Sequence, residues 1–474
     1  MDVRNAAPPL PDEIEWVNTA TPPRIADHRG RVVLLWFWSY DSVNCWNQIP
    51  DINRLAEKYH DGLTVIGIHS PKYPRQAASD AVLSAVNRLG LRHAVANDGE
   101  FRVWRSYAIR SWPSIALIDA AGALAAVYPG EGSGDLVDVR IGQLLDEAAL
   151  NDLRVYEPTP PVLRPQPRTA LAFPGKVLVD EKFLYIADSG HHRVLECSHE
   201  GTVSRSFGSG NAGHADGSAS QSCFNDPQGL ARWGSALYVA DRGNHSVRRI
   251  DLGNGIVETV LGTGRAGFDR PENADARSTA LNSPIDLSVI GHHLLIAVAG
   301  QNQIWKLDLL ALTVVVYAGE GERGLLDGSA MEALFAQPSG LATIGRNLLV
   351  ADAASSSIRW IEPGGRVETM VGTGLYDFGD AVGMRGKVRL QNPLAIATDA
   401  RSAIYVADSG NNAIKRLERE SGKAHLLDLL YGLNEPQGLA VHANQLWIAN
   451  TNRHEIARVD LATGVVHRVG AGES

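Results

Sequence analysis

The residues best placed to do chemistry lie between Ser39 and Cys45, where an apolar run leads directly into a helical pattern. A thiol–disulfide oxidoreductase places its cysteine pair at such a junction, because the exposed N–H groups and the dipole of the helix stabilise a thiolate. In this chain Ser42 stands at the predicted helix start, where an attacking sulfur would lie, and Cys45 follows one turn later. A serine hydroxyl cannot form a disulfide, so the ordinary two-cysteine exchange cycle is not possible with Ser42 at this position.

Two roles for Cys45 remain open. As a packed core residue its thiol would be inert, because burial in apolar surroundings disfavours the thiolate. As a working thiol it would form a mixed disulfide or sense peroxide on its own. Asp41 places a negative charge near the sulfur, which also disfavours the thiolate. We therefore expect Cys45 to be a packed core residue.

The elements around this junction alternate between strands and helices. Residues 31–38 read RVVLLWFW, which is typical of a strand buried on both faces. The patterns that follow predict helix 44–59, strand 63–68, helix 75–89, strand 114–119, strand 123–128 and helix 134–150. This order predicts an α/β domain over residues 1–150, with a parallel-centred sheet closed by an antiparallel hairpin.

Three segments of this domain match a known family: FWSYDSVNC (37–45), GIHSPKYP (67–74) and SWPSIALID (111–119). They resemble the thioredoxin-like, TlpA-related family, and in particular the group of NHL repeat-containing protein 2, over residues 32–145. In that group the motif reads Cys-Cys-x-Asn-Cys, so the resemblance implies that Asp41 and Ser42 occupy the first two cysteine positions. It also implies a cis Trp112–Pro113 bond and a groove that receives an extended polypeptide, bordered by Tyr40, Asp41, Trp112 and Pro113.

A proline-rich stretch follows the α/β domain over residues 151–170. Its prolines are Pro158, Pro160, Pro161, Pro165 and Pro167. Such a segment favours extended polyproline geometry and acts as a semi-rigid spacer. We therefore place the domain boundary in this linker.

Six repeats fill residues 171–474. One column of the repeat holds Asp188, Asp241, Val298, Asp352, Asp408 and Asn450, and a second holds Pro174, Pro227, Pro284, Pro338, Pro393 and Pro436. Each repeat carries four strand signals, which is typical of a β-propeller blade. The motif resembles NHL repeats, so we expect a six-bladed propeller in which every blade has its own four strands. Ring closure then needs no strand borrowed from the first domain.

The repeated Asp-x-Gly-Asn motif has a structural interpretation. We expect its aspartate to cap a tight turn, and its Gly or Asn to supply the positive φ of that turn. A motif that recurs in nearly every blade is unlike a binding site, which is usually unique.

Long connections follow the fourth strand of the first four blades, and long loops on a rigid scaffold are where binding function concentrates. A helix-like stretch is predicted at 327–335, and the Gly-x-Gly units are predicted to be turns because they lack the context of a nucleotide site. We expect the connections to share one face with the aspartate turns. The candidates to line that face are His214, Asp216, Arg265, Asp269, Arg270, Glu322, Arg323 and Asp327.

Other functions are poorly supported. The innermost strands offer only Asp286 and His442 as ligands, too few for a metal-dependent propeller hydrolase or lyase. The net charge of −9 argues against nucleic acid. Basic residues do recur in the third strands, but acids interleave with them, which is typical of a solvated outer edge. These are Arg193, Arg248, Arg249, Lys306, Arg359, Lys415, Arg416 and Arg458.

The composition adds expectations about location. The three cysteines lack framework or metal-ligand spacing, and the chain shows neither a signal peptide nor a membrane-length apolar run. We therefore expect a cytoplasmic protein with no metal, no cofactor and no membrane contact. The favoured function is a non-catalytic or vestigially redox-active scaffold that binds a protein or peptide. The alternative is a thioredoxin-like oxidoreductase or redox sensor that uses the single Cys45.

Overall fold

The computed structural model describes residues 5–19, 21–157, 162, 169–399 and 403–471. The chain divides into two compact units, residues 1–167 and 168–474. The five prolines of the predicted linker lie outside the described residues.

The first unit is built on a six-stranded sheet of order β1-β4-β3-β2-β5-β6. Its elements are β1 Glu15–Trp16, β2 Val32–Trp38, α1 Val43–Lys58, β3 Leu63–His69, α2 Ser79–Arg88, β4 Ala94–Asn97, α3 Arg102–Ser106, β5 Ser114–Ile118, β6 Leu124–Pro129 and α4 Gly134–Leu150. β2 runs parallel to β3 and antiparallel to β5, and β5 and β6 form the closing hairpin. The predicted α/β fold is confirmed.

Strand β2 is buried along its whole length because it contributes to two cores. Leu34 and Trp36 pack with side chains of α1 and α4 in one core. Leu35 and Phe37 belong to the other core, together with Val103 of α3. Both faces of this strand are covered, which explains the continuous apolar run in the sequence.

Two parts of the first unit differ from the prediction. The segment predicted as helix 75–89 begins with a 3₁₀ turn at Pro74–Ala77, and α2 starts only at Ser79. Strand β4 and helix α3 were not expected. They span four and five residues, which is too short for a periodic pattern to stand out from its surroundings.

The second unit consists of six small antiparallel sheets, as in a six-bladed β-propeller. We name the four meander strands of each blade a to d, from the inside of the ring outwards. In blades one to three they are Val177–Val179, Leu184–Asp188, Arg193–Cys197 and Val203–Phe207; Pro227–Trp233, Ala236–Asp241, Ser246–Asp251 and Val257–Leu261; Pro284–Ile290, His293–Val298, Gln303–Asp308 and Thr313–Ala318. In blades four to six they are Pro338–Ile344, Asn347–Asp352, Ser357–Ile361 and Arg366–Val371; Ala395–Thr398, Ala403–Asp408, Ala413–Glu418 and Ala424–Leu426; Pro436–His442, Gln445–Asn450, Glu455–Asp460 and Val466–Val469.

Every blade has its own strands a to d, as expected, and the third and fourth blades add a fifth strand from the connection before them. The strand Glu272–Asp275 pairs with strand d of the third blade. The strand Gly328–Ser329 pairs with strand d of the fourth blade. The helix predicted at 327–335 is therefore wrong. This stretch forms a short strand followed by a turn, in which Ala333 and Phe335 are fully buried and Met331 is exposed.

The column of aspartates does not cap its own turn, so that part of the interpretation is wrong. Asp241 accepts the backbone N–H of Asn225, at 2.8 Å, and so ties the b–c turn to the connection that enters strand a of the same blade. The glycine is not in a positive-φ conformation either. A Cβ at Gly243 would lie 2.7 Å from the Asn225 carbonyl oxygen, so glycine is needed for close approach of the two chains.

The third blade shows that this tie matters. It has Val298 in place of the aspartate, and a valine side chain cannot accept a hydrogen bond. The amide oxygen of Gln301 accepts the corresponding N–H, that of Asn282, at 2.9 Å. The same donor position is therefore satisfied by a different side chain.

The residue with positive φ is the one after the motif, and its side chain joins each blade to the next. These residues are His192, His245, Asn302, Ser356, Asn412 and His454. Each accepts the backbone N–H that precedes the proline of strand a in the following blade, with distances of 2.8–3.3 Å. The last bond runs from Phe173 to His454 and joins the first blade to the sixth. Side-chain to main-chain bonds thus connect all six junctions.

Three junctions depend on a neutral histidine, and we predict that they weaken in acid. Burial, together with the positive charge of Arg242, lowers the pKa of His245 from 6.5 to about 4. Its Nδ1 accepts the N–H of Ser283, which requires that nitrogen to be unprotonated. A folded-state pKa below the unfolded value contributes stability above pH 6.5, which is lost as the pH falls towards 4. We expect a loss of about 3 kcal/mol of unfolding free energy for this residue over that window.

His245→Asn is the matched variant, since Asn302 and Asn412 already fill the equivalent position with positive φ. Denaturant unfolding at several pH values should show a shallower acid loss for His245→Asn than for the unchanged chain. Identical pH profiles would contradict this assignment.

Candidate functional site

The single thiol of the first unit lies in its core. Cys45 is fully buried and packs with side chains of β2, α1 and α4. Its backbone N–H donates to the carbonyl of Ser42, 3.0 Å away, in the first turn of α1. The Ser42 hydroxyl is hydrogen-bonded to the sulfur and is itself only 3% exposed. The burial expected for Cys45 is confirmed.

The surroundings of Cys45 disfavour its thiolate. Burial raises the pKa of the thiol to about 11, which outweighs every group that acts in the opposite direction. Hydrogen bonds from Ser42 and from the Ser39 main chain lower the pKa, as does the nearby charge of Lys72. Asp41 raises it, as the sequence predicted. At neutral pH the sulfur is therefore a thiol.

Asp41 is held in place by two neighbours. It accepts a hydrogen bond from the Ser39 hydroxyl at 2.7 Å and forms an ion pair with Lys72, whose Nζ lies 3.8 Å from its Oδ1. Lys72 also lies 5.9 Å from the centre of the Trp112 ring. Sequence reasoning missed Lys72, although it lies inside the matched segment at residues 67–74. A carboxylate at the position of a lost cysteine was the signal that a buried cation would be needed nearby.

The four residues predicted to border the groove are close to one another but mostly buried. The Trp112–Pro113 bond is cis, as predicted. Trp112 is half-buried, and its Nε1 donates to the Ser70 carbonyl at 2.9 Å. Tyr40 is 5% exposed and stacks on the ring of His69. Of the four, only Trp112 offers substantial surface to a ligand.

On the propeller, two of the predicted face residues are occupied by contacts within their own blade. His214 Nε2 lies 3.0 Å from the Ser246 hydroxyl. Asp216 pairs with Arg248 at 2.7 Å, and Arg248 also reaches Asp241 at 2.9 Å. Arg248 is fully buried between these two carboxylates.

The same arrangement recurs in the fourth and fifth blades. Arg359 pairs with Asp327 at 3.0 Å, and Lys415 pairs with Asp380 at 2.9 Å. Both cations are fully buried. The expectation that the third-strand cations form a solvated edge is therefore wrong for Arg248, Arg359 and Lys415. Carboxylates in the connections cover these three side chains.

The remaining candidates are exposed and lie on two connections, at 262–283 and 318–337. They are Arg265, Asp269, Arg270, Glu322 and Arg323. Asp269 accepts the N–H of Ala280 at 2.8 Å, and Arg270 pairs with Glu320 at 3.4 Å. These contacts shape the connections and leave the outer surface of the side chains in solvent.

The connections also expose large apolar side chains, which sequence reasoning missed. They are Phe268, Leu326, Met331, Tyr376, Val382, Met384 and Leu430, between 45% and 99% exposed. Hydrogen bonds from Asn244 to Gly213 and from Asn411 to Gly379 hold the connections against the b–c turns. Binding residues are often found on loops held by a rigid scaffold, so these side chains are candidates to contact a partner.

The central channel is closed by a buried ion pair. Lys176 of the first blade lies 3.4 Å from Asp286 of the third, and it donates to carbonyl oxygens of Ser339 and Leu394 in the fourth and fifth. Lys176, Asp286 and residues of all six strands a line a cavity of about 390 Å³ in this channel. Asp286 is therefore paired with Lys176, which the sequence analysis did not predict as its partner.

No family model matches the chain. Human NHL repeat-containing protein 2 is 34% identical over 520 aligned residues, which cover 97% of this chain and 71% of that protein. The chain belongs to the NHL repeat-containing protein 2 family. The Arabidopsis thaliana protein SUPPRESSOR OF QUENCHING 1, chloroplastic, is 37% identical over 497 residues, which cover 96% of this chain. The chain spans 47% of that protein, about half of its length.

The first unit also has a relative of its own. Thiol-disulfide oxidoreductase YkuV of Bacillus subtilis is 21% identical over 148 residues, which cover 31% of this chain and 99% of that protein. Within the described residues, no helix is long and apolar enough to cross a membrane. Because one relative is named as chloroplastic, cytoplasmic location stays an expectation.

The contact between Ser42 and Cys45 predicts that a second thiol would pair. We expect Ser42→Cys to form a disulfide to Cys45, since the two side chains are already within hydrogen-bond reach. The variant would be refolded in glutathione buffer poised at about −200 mV, and its free thiols counted after denaturation. Ser42→Ala is the control, with all three native thiols remaining free. An unpaired introduced thiol would contradict the proposed geometry.

Proposed function

We propose that this chain is a binding protein whose thioredoxin-like unit does not carry out two-cysteine thiol exchange. The observation that carries the proposal is the state of Cys45, a fully buried thiol with a pKa of about 11 beside a serine. Exchange needs an exposed thiolate that attacks and a second thiol that resolves the mixed disulfide. Neither requirement is met at this position.

The binding role is supported by the propeller connections. Seven large apolar side chains are exposed there, on a scaffold held by buried ion pairs such as Asp241–Arg248. Rigid support of this kind lowers the entropy lost when a partner binds. We infer a protein or peptide partner, because aromatic, Met and Leu side chains on loops suit the apolar anchors of a polypeptide.

The exchange part of the proposal is tested by alkylating Cys45 in a Cys197→Ser, Cys223→Ser background between pH 5 and 9. Two pKa units above the usual 9 reduce the thiolate fraction about 100-fold. We expect labelling in the folded protein to be slower than in denaturant by at least that factor. Rapid labelling with a midpoint well below about 8.5 would instead support a redox role for the single Cys45.

The binding part is tested by selecting peptides from a random display library against the full chain. Phe268→Ser, Tyr376→Ser and Leu430→Ser together remove apolar groups from three connections. We expect the selected peptides to lose affinity at least ~10-fold, since exposed apolar anchors dominate such interfaces. Leu310→Ser is the control, because Leu310 is 69% exposed but lies in a c–d turn. Equal affinity for the triple variant and the unchanged chain would contradict a loop-face site.

A further inference from the structure

A cluster of two histidines and one aspartate lies on the third blade, away from the connections. His292 lies in the a–b turn, His293 begins strand b, and Asp308 ends strand c. Asp308 is the partner of His293 in the strand register, and the N–H of Leu309 donates to the His292 carbonyl at 3.0 Å. The backbone therefore brings the three side chains together without help from other blades.

The distances in this cluster are those of ligands around a metal ion. His292 Nε2 and His293 Nε2 lie 3.6 and 3.8 Å from the same oxygen, Asp308 Oδ2. Both separations are too long for a hydrogen bond. A tetrahedral Zn²⁺ with bonds of about 2.0–2.1 Å holds its ligand atoms about 3.3 Å apart. Small rotations of the side chains reach that value.

The carboxylate and one imidazole are oriented by second contacts. Asp308 Oδ1 accepts the N–H groups of Leu310 and Ala311, at 2.8 and 3.0 Å, which leaves Oδ2 for the histidines. The ring of His293 is hydrogen-bonded to the Ile290 main chain. Such outer contacts fix the tautomer and orientation of histidine ligands in metal sites.

Other blades show that the cluster is not required by the fold. Asp460 ends strand c of the sixth blade in the same way, and its Oδ2 accepts from Gln445, which holds the position of His293. In the second blade, Asp251 Oδ2 faces Arg249 instead. The turn aspartate is thus a structural feature, whereas the facing pair of histidines is specific to the third blade.

We infer that His292, His293 and Asp308 form a site for a first-row divalent transition metal of the Zn²⁺ class. Two imidazoles and one carboxylate suit this class and leave a further coordination position for water or an external ligand. Among the described residues this is the one group of three such side chains whose ligand atoms all lie within 4.8 Å of one another. The three side chains are between 28% and 45% exposed, so an ion can enter from solvent.

This site departs from the expectation of no metal. That expectation rested on cysteine spacing and on the channel strands. The ligand Asp308 comes from the opposite strand of a hairpin, so the pairing register is needed to bring it to the histidines. Lys306 places a positive charge nearby, and we therefore expect reversible binding of moderate affinity.

The test is Zn²⁺ binding by the full chain, measured by competition with a chromogenic chelator. A Cys223→Ser background removes the one thiol that is not fully buried. We expect one Zn²⁺ per chain, with no competition from Mg²⁺, which prefers oxygen ligands.

His293→Gln is the matched variant, because glutamine already occupies this position in the sixth blade. We expect it to keep the thermal stability of the metal-free chain and to weaken Zn²⁺ binding at least ~100-fold, since losing an outer contact alone costs about 10–100-fold. His442→Gln is the control. It disrupts another close pair of histidine rings, 5.9 Å apart, and should leave the affinity unchanged.

The proposal is overturned by any of three results. The unchanged chain fails to bind Zn²⁺, His293→Gln binds it equally well, or His442→Gln abolishes binding. Equal binding by His293→Gln would place the ion elsewhere on the chain.

Discussion

The propeller depends on one recurring hydrogen bond, in which the side chain after each b–c turn accepts a backbone N–H of the next blade. An Asn, a Ser or a neutral His fills the position, and each adopts a positive φ to reach its donor. An unpaired N–H at these buried junctions would cost about 1–3 kcal/mol. The b–c turns must therefore be held rigidly, and the ties from Asp188, Asp241, Asp352, Asp408 and Asn450 to the preceding connections hold them.

Buried charges extend this organisation outwards to the connections. Arg248, Arg359 and Lys415 each pair with a carboxylate supplied by a connection. Arg248 and Lys415 also pair with the turn aspartates Asp241 and Asp408. In the third blade the turn aspartate is Val298, and the position of the cation is Trp305. The two charges are absent together, as expected if a buried cation without its counter-charge is too costly to keep. The shape of each connection is thus coupled to the core of its blade.

The sequence predicts the architecture well because each unit has sequence patterns that can be recognised from short segments of the chain. The apolar run at Val32–Trp38 and the repeated proline and aspartate columns depend only on neighbouring residues. What could not be predicted depends on partners distant in the chain. Lys176 meets Asp286 across the channel, and Lys72 meets Asp41 from the loop after β3.

The candidate site was predicted in its central feature, the burial of Cys45, because the loss of its partner thiol is visible in the motif. The groups around Cys45 were not predicted, since Lys72 comes from the loop after β3. The assignment of groove residues stays a prediction, and their accessibility depends on how Tyr40 packs on His69. On the propeller, the predicted charges proved to be partly internal, and the exposed apolar side chains around them have no periodic pattern by which to be recognised.

The bond between Phe173 and His454 has a wider consequence for how such a chain can be rearranged. Its geometry repeats that of the other five junctions, so the circle has no chemically distinct seam. The covalent break between the sixth blade and the first could then be moved to another junction by circular permutation without removing a closing element. For the same reason an additional domain can be appended ahead of the first blade without supplying a strand to any blade, as is the case among the described residues here.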